Sequence, residues 1–257
     1  MELRDQPLQP PMQARTAASG DITNRLEIDY AVMTVARPQQ YIHRLIAELR
    51  SDLPLRVVVG GSNCEYLERY RNSSQIEIFA PPAEEWAFFA QRGVHHRATW
   101  NYWRSLVFGA RNPERKGLVV FEDDVFPARG WEQRLHETID QIEAQHTGRY
   151  LMALYAATQA GLPQPVSGSH FVPYPVSWFF GTQAIYFPEA ERVGFAGYLK
   201  ENGVDKYRLP YDYVLREYMQ KSGVSIFATI PCLVQHIGEV STGLGLPHST
   251  HHFQAEL

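Results

Sequence analysis

A continuous apolar run, Leu118-Val119-Val120-Phe121, ends directly in three carboxylates, Glu122-Asp123-Asp124. An uninterrupted run of that length fits a strand covered on both faces, as strands inside a parallel sheet are. Open α/β sheets bind ligands beyond the carboxyl ends of their strands, so the acids stand where a crevice is expected. Like charges ~4 Å apart repel by roughly 4 kcal/mol at an effective dielectric of about 20, and three adjacent carboxylates therefore call for a cation. Strand alternation predicts Glu122 and Asp124 on one side and Asp123 on the other. Oxygen donors of this kind suit Mg²⁺ or Mn²⁺, which also bind diphosphate and neutralise a departing nucleoside diphosphate. The competing reading is a solvated acidic turn that caps the next helix.

The remaining chain alternates strand-like and helix-like patterns. Residues 28–35 form a short apolar run before Pro38, and Tyr41, Ile42, Leu45, Ile46 and Leu49 then recur at helical spacing. Further strands are expected at 56–59, 75–79, 151–155 and 225–230, with helical stretches near 65–70, 98–110, 131–145 and 211–221. A long loop runs to Pro175, and 178–187 reads as a strand interrupted at Gly181. The succession predicts one α/β domain over 25–257, with a mostly parallel, Rossmann-type central sheet flanked by helices. Residues 1–24, rich in Pro and Gln and without periodicity, are expected to form a tail outside it.

Composition narrows the partners. A 257-residue chain with 44% hydrophobic residues can bury a large core. A net charge of −4 argues against a nucleic-acid partner, which calls for a basic surplus. Two cysteines, Cys64 and Cys232, make no disulfide framework, so a reducing, cytoplasmic setting is expected. No stretch approaches the length of a transmembrane helix.

Individual side chains then acquire candidate roles. Asp212 opens a helix and is a candidate general base. Thr34 and Arg37, just past the first strand, could contact a nucleotide through a hydroxyl and a guanidinium. Asn101 and Arg104 share a helix face, from which Arg104 could offset diphosphate charge. Tyr174 and Trp178 could offer a stacking platform to an acceptor sugar.

The segment from Leu118 to Val125 resembles the metal-binding segment of GT-A glycosyltransferases, especially the N-acetylglucosaminyltransferase IV family and its bacterial and fungal relatives. Thr34-Val35-Ala36-Arg37 resembles that family's nucleotide-contacting turn, and Tyr211-Asp212-Tyr213 its acidic-aromatic step into a late helix. Gln235-His236-Ile237-Gly238, with Ser241, resembles its C-terminal signature. Gly60-Gly61-Ser62 departs from it, standing where many relatives carry an acid. The resemblance implies a GT-A-like fold and transfer of a sugar from a UDP-sugar, UDP-N-acetylglucosamine among the candidates, to a hydroxyl on a glycan or small molecule. It further implies an inverting displacement, with Glu122 and Asp123 on the donor, Asp124 and His236 on Mn²⁺ or Mg²⁺, and Asp212 as base. Two other classes use similar features: a metal-dependent nucleotidyltransferase or phosphohydrolase, and a noncatalytic carbohydrate-binding protein on a degenerate transferase fold.

Overall fold

Two neighbouring strands are buried along almost their whole length: β1 (Ile28–Thr34) and β4 (Gly117–Glu122). They pair in parallel, with Val32 opposite Phe121 and Met33 opposite Glu122. The computed structural model describes residues 28–49, 54–111, 115–202, 209–239 and 249–256; the expected tail over 1–24 and Ser241 lie outside them. Between β1 and β4 come α1 (Ile42–Glu48), β2 (Leu55–Val59), β3 (Ile76–Phe79), α2 (Ala83–Ala90) and α3 (Val94–Phe108). After β4 follow β5 (Val125–Pro127), α4 (Trp131–Gln145), β6 (Tyr150–Ala153), β7 (Phe171–Pro173), β8 (Ala184–Pro188), α5 (Glu189–Glu201), α6 (Tyr211–Ser222), β9 (Ser225–Thr229) and β10 (Val234–His236).

Eight of these strands form one sheet in the order β3-β2-β1-β4-β8-β6-β9-β7, and β10 pairs with β5 in a separate ribbon. The first half of the sheet is wholly parallel, and β6 pairs with β9 in parallel. The second half is mixed, because β8 runs antiparallel to both β4 and β6, and β7 antiparallel to β9. The fold is thus an α/β domain with a large central sheet flanked by helices, as expected, with antiparallel strands concentrated in its second half.

Side-chain alternation along β4 divides the core into two. Leu118 and Val120 join Tyr102, Leu106, Phe195 and Leu215 under α3, α5 and α6. Val119 and Phe121 join Ile42, Leu45, Leu135 and Ile139 under α1 and α4. Period-two strands between two helical layers require this division.

Several elements escaped the sequence pattern for identifiable reasons. Helix α2 starts right after Pro82 with Glu84 and Glu85 in its first turn, and α5 after Pro188 with Glu189 and Glu191, so both carry start signals but little apolar periodicity. Strands β5, β7 and β10 have three residues each, too short for a period to register. The strand expected over 178–187 begins only at Ala184. A 3₁₀ turn over Val176–Trp178 runs into its first residue, and Gly181 stands at φ 86°, where a continuous strand cannot run. No helix among the described residues is long and apolar enough to cross a membrane.

Phe121 is fully buried, 5.5 Å from Trp131 and 6.4 Å from Tyr30 between ring centroids. Phe121→Ala is expected to lower stability by about 3–5 kcal/mol, read as a shift of the urea midpoint at unchanged slope.

Candidate functional site

The carboxyl ends of β1, β2 and β4 open into a cleft of about 830 Å³. Thr34 and Arg37 enter it from β1, Gly60 to Asn63 from β2, the three acids from β4, and Trp86 and Asn101 from α2 and α3. Thr182, Gln183, Asp212 and His236 complete its lining from the second half of the chain.

Strand β4 stops at Glu122, and the chain turns immediately, so the expected alternation of the acids ends there. Glu122 faces the second half of the sheet, where it accepts hydrogen bonds from Tyr211 Oη at 2.7 Å and Thr182 Oγ1 at 3.1 Å. Asp123 and Asp124 both turn toward β1. The parallel register that sets Met33 beside Glu122 brings Thr34 to Asp123, and Thr34 Oγ1 donates to Asp123 Oδ2 at 2.5 Å. Arg37 spans both acids, with Nη1 on Asp124 Oδ2 at 2.9 Å and Nη2 on Asp123 Oδ1. Arg37 therefore meets carboxylates, where a nucleotide contact was expected.

His236 reaches the cluster through the small ribbon. β10 pairs antiparallel with β5, His236 opposite Val125, and Ile237 N donates to Asp124 O at 2.8 Å. His236 Nε2 lies 3.5 Å from Asp124 Oδ2. A Cβ on Gly238 would come within 2.5 Å of Asp124 Oδ2 and 2.9 Å of His236 Nε2, so the two close up only over a glycine. Asp124 Oδ1 is buried with no hydrogen-bond partner. A carboxylate oxygen and an imidazole nitrogen form a donor set that a hard divalent ion accepts. Among the described residues no group of three or more His, Cys, Asp or Glu is arranged to hold a metal, so an ion there would draw the rest of its shell from ligand and water.

Asp212 lies in the first turn of α6, where Pro210 is the N-cap. Its Oδ2 accepts from Gly181 N at 3.2 Å and its Oδ1 from Tyr213 N at 2.9 Å. These bonds aim a half-buried carboxylate into the cleft. Asn101 donates through Nδ2 to Thr34 O at 3.4 Å, while its Oδ1 is buried without a partner.

Two expectations need correction. Arg104 does not line the cleft: Nη1 donates to Val59 O at 2.5 Å and Nη2 to Phe79 O at 3.1 Å, so it ties the ends of β2 and β3 together. Its guanidinium lies 5.0 Å from the Trp100 ring centroid and 5.5 Å from that of Phe108, so both amino groups and the flanking rings hold it at the strand ends, outside the cleft lining. Tyr174 is no platform either, being buried at 2% exposure with its hydroxyl directed at Phe180 O. Trp178, at 63%, is exposed.

Thr182, Gln183 and Trp86 line the site without having been singled out, as does Tyr211, which was named only as part of a segment and given no role. Gly181-Thr182-Gln183 was legible as a polar triplet set in an aromatic stretch, and Tyr211 stood beside the selected Asp212. Trp86 went unread because α2 did.

Burial dominates the electrostatics. It pushes Glu122 up to about 7, with Asp124 adding repulsion and the Tyr211 and Thr182 hydroxyls pulling back. Burial also pushes Asp123 up to about 7 against the pull of Arg37. For Asp124 burial acts upward too, but His236 and Arg37 outweigh it and hold the carboxyl below its ordinary value. Burial tends to lower Arg37, and Asp123 and Asp124 more than reverse that.

No family model and no curated protein matches the chain. Among solved structures it is similar to the inositol-1-phosphate CTP transferase from T. maritima, with TM-score 0.46 and 10% identity over 79% of this chain and 86% of that one. It is similar to a galactosyltransferase in complex with donor and acceptor sugar analogues, with TM-score 0.43 and 12% identity over 77% and 72% of the two chains. A third similarity is to the glycosyltransferase GlyE of Streptococcus pneumoniae, with TM-score 0.41 and 10% identity over 77% of this chain and 45% of that one. At such values the chemistry has to be read from the residues of the site.

A carboxyl raised in the folded state binds its proton more tightly there than in the unfolded chain, so its contribution to stability is full below about 4.5 and is lost as pH rises through about 7. Wild-type stability should therefore carry a downward component between these values. Glu122→Gln should remove part of that slope, as read from thermal midpoints of both proteins across the range.

Proposed function

We propose that the chain is a metal-dependent glycosyltransferase of the GT-A type. It would move a sugar from a UDP-sugar, UDP-N-acetylglucosamine among the candidates, to a hydroxyl on a glycan or small molecule with inversion. The N-acetylglucosaminyltransferase IV resemblance is the source of the donor assignment. The observation that carries the reading is that Asp124 and His236 meet over Gly238 in the lining of a cleft that Asp212 also lines. A cleft of about 830 Å³ has room for a nucleotide-sugar together with part of an acceptor. Cys64 and Cys232 are both free thiols, which fits the cytoplasmic setting proposed for it.

In this mechanism the nucleoside lies toward the ends of β1 and β2, against Thr34, Asn101 and Gly60 to Asn63. The diphosphate lies at Arg37, Asp124 and His236, and Glu122, held by Tyr211 and Thr182, faces the transferred sugar. Asp124 and His236 would hold Mn²⁺ or Mg²⁺, which when bound neutralises charge on the departing diphosphate. Asp212 takes the proton of the acceptor hydroxyl as that oxygen attacks the anomeric carbon. The bond from this carbon to the diphosphate oxygen breaks, and UDP leaves with the electron pair. Two backbone amides fix the direction of Asp212, so the base needs no reorientation when the acceptor arrives.

Isothermal titration with UDP, in Mn²⁺ and in EDTA, is expected to show metal-dependent binding that Asp124→Ala weakens by at least about tenfold. Absence of UDP binding under every condition would remove the nucleotide-sugar reading, and rapid hydrolysis of simple phosphoesters would favour the phosphohydrolase. Asp212→Asn should keep UDP binding while turnover falls about 10²–10⁴-fold. Near-normal turnover in that variant would take the base role away from Asp212.

A further inference from the structure

The acid triad stands in this structure with a cation already in place. Arg37, with a side chain only 10% exposed, is paired with both Asp123 and Asp124, and its guanidinium lies 5.6 Å from the Tyr41 ring centroid. Both members of the Arg37–Asp124 pair nevertheless keep one buried position open. Arg37 Nε has no acceptor, and Asp124 Oδ1 has no donor. An unmet N–H on one member of an ion pair and an unmet carboxylate oxygen on the other, both at residues lining the cleft, want a ligand carrying both signs of charge. A divalent ion alone meets only the second need and arrives a few ångströms from a fixed guanidinium. A diphosphate alone meets only the first and faces three carboxylates. A metal–diphosphate chelate meets both, and phosphate oxygens match the guanidinium fork as well as carboxylates do.

We propose that Arg37 is the resident cation of the acidic cluster, and that a divalent ion is admitted to Asp124 only together with a diphosphate whose oxygens take over the guanidinium. This rests on the nucleotide-sugar reading only for the identity of the diphosphate. Arg37 is then a positioning residue with two effects. It keeps Asp123 and Asp124 together while the cleft is empty, and it makes metal and diphosphate binding mutually dependent.

The test is electron paramagnetic resonance of free Mn²⁺ titrated with the full chain, in three states: Mn²⁺ alone, with inorganic pyrophosphate, and with UDP. Wild-type protein should bind Mn²⁺ weakly alone and roughly 5–150-fold more tightly with pyrophosphate or UDP, the usual range for coupled sites. Arg37→Met should bind Mn²⁺ alone more tightly than wild type and lose most of the coupling, a gain that a purely structural role for Arg37 does not produce. Arg37→Lys, which keeps the charge without the fork, should retain weak Mn²⁺ binding and show reduced coupling. Equal Mn²⁺ affinity of the wild type with and without pyrophosphate would overturn the proposal. So would a folded Arg37→Met that binds Mn²⁺ no more tightly than wild type; if that variant does not fold, the wild-type comparison and Arg37→Lys decide. Coupling to pyrophosphate without any UDP binding would retire the nucleotide reading and leave this one standing.

Discussion

The parallel pairing of β1 with β4 is the constraint on which the rest of the site depends. Its register places Met33 beside Glu122, and two consequences follow from the next few residues of each strand. Thr34 reaches Asp123, and Arg37 closes over Asp123 and Asp124. A slip of one residue would move every side chain of β4 to the opposite core and carry the acids away from Arg37. The packing of Leu118 and Val120 on one side and Val119 and Phe121 on the other therefore secures the electrostatics of the cleft as well as the core.

The remaining groups are delivered by elements too small to stand alone. The β5–β10 ribbon has three paired positions, yet it aligns His236 with Val125 and so with Asp124 next door. It can do this because Leu233 and Val234 are anchored by backbone bonds to Leu154 O at the end of β6, and because Gly238 leaves room for carboxylate and imidazole to meet. Asp212 is placed by a comparable device: the positive φ at Gly181 turns its N–H toward the carboxylate. Glu122 joins the two halves, since it belongs to β4 and is held by hydroxyls from the loop before β8 and from α6. Burial of these acids is unfavourable on its own; the hydroxyls and Arg37 offset it only in part at Glu122 and Asp123, which stay raised, whereas His236 and Arg37 outweigh it at Asp124, which is lowered.

Much of this was legible one segment at a time. The apolar run into Glu122 identified a central buried strand and its crevice, and Thr34, Arg37, Asn101, Asp123, Asp124, Asp212 and His236 all line the cleft. The failures share a cause. Arg104 was placed with Asn101 by helical spacing, but three residues along a helix also turn the side chain enough to meet Val59 O and Phe79 O in place of the cleft. Tyr174 was chosen for its chemistry alone, and burial decides whether an aromatic ring is a platform or core. Gln183 and Trp86 sit on a turn and on a weakly periodic helix, where neither spacing nor charge singles out a residue.

The amino-acid sequence by itself determined the α/β class, the approximate positions of α3, α4, α6 and of the buried strands β1, β2, β4, β6 and β9, and the location of the acids at a strand end, because these follow from local periodicity and from the switch from apolar to charged residues. Only the tertiary structure decided which side of the cleft each acid faces, that β8 enters the sheet antiparallel, and that the chain supplies its own cation to Asp123 and Asp124. Each of these depends on contacts between segments far apart in the chain, set by strand register and chain reversal. Patterns read within one segment carry no record of them.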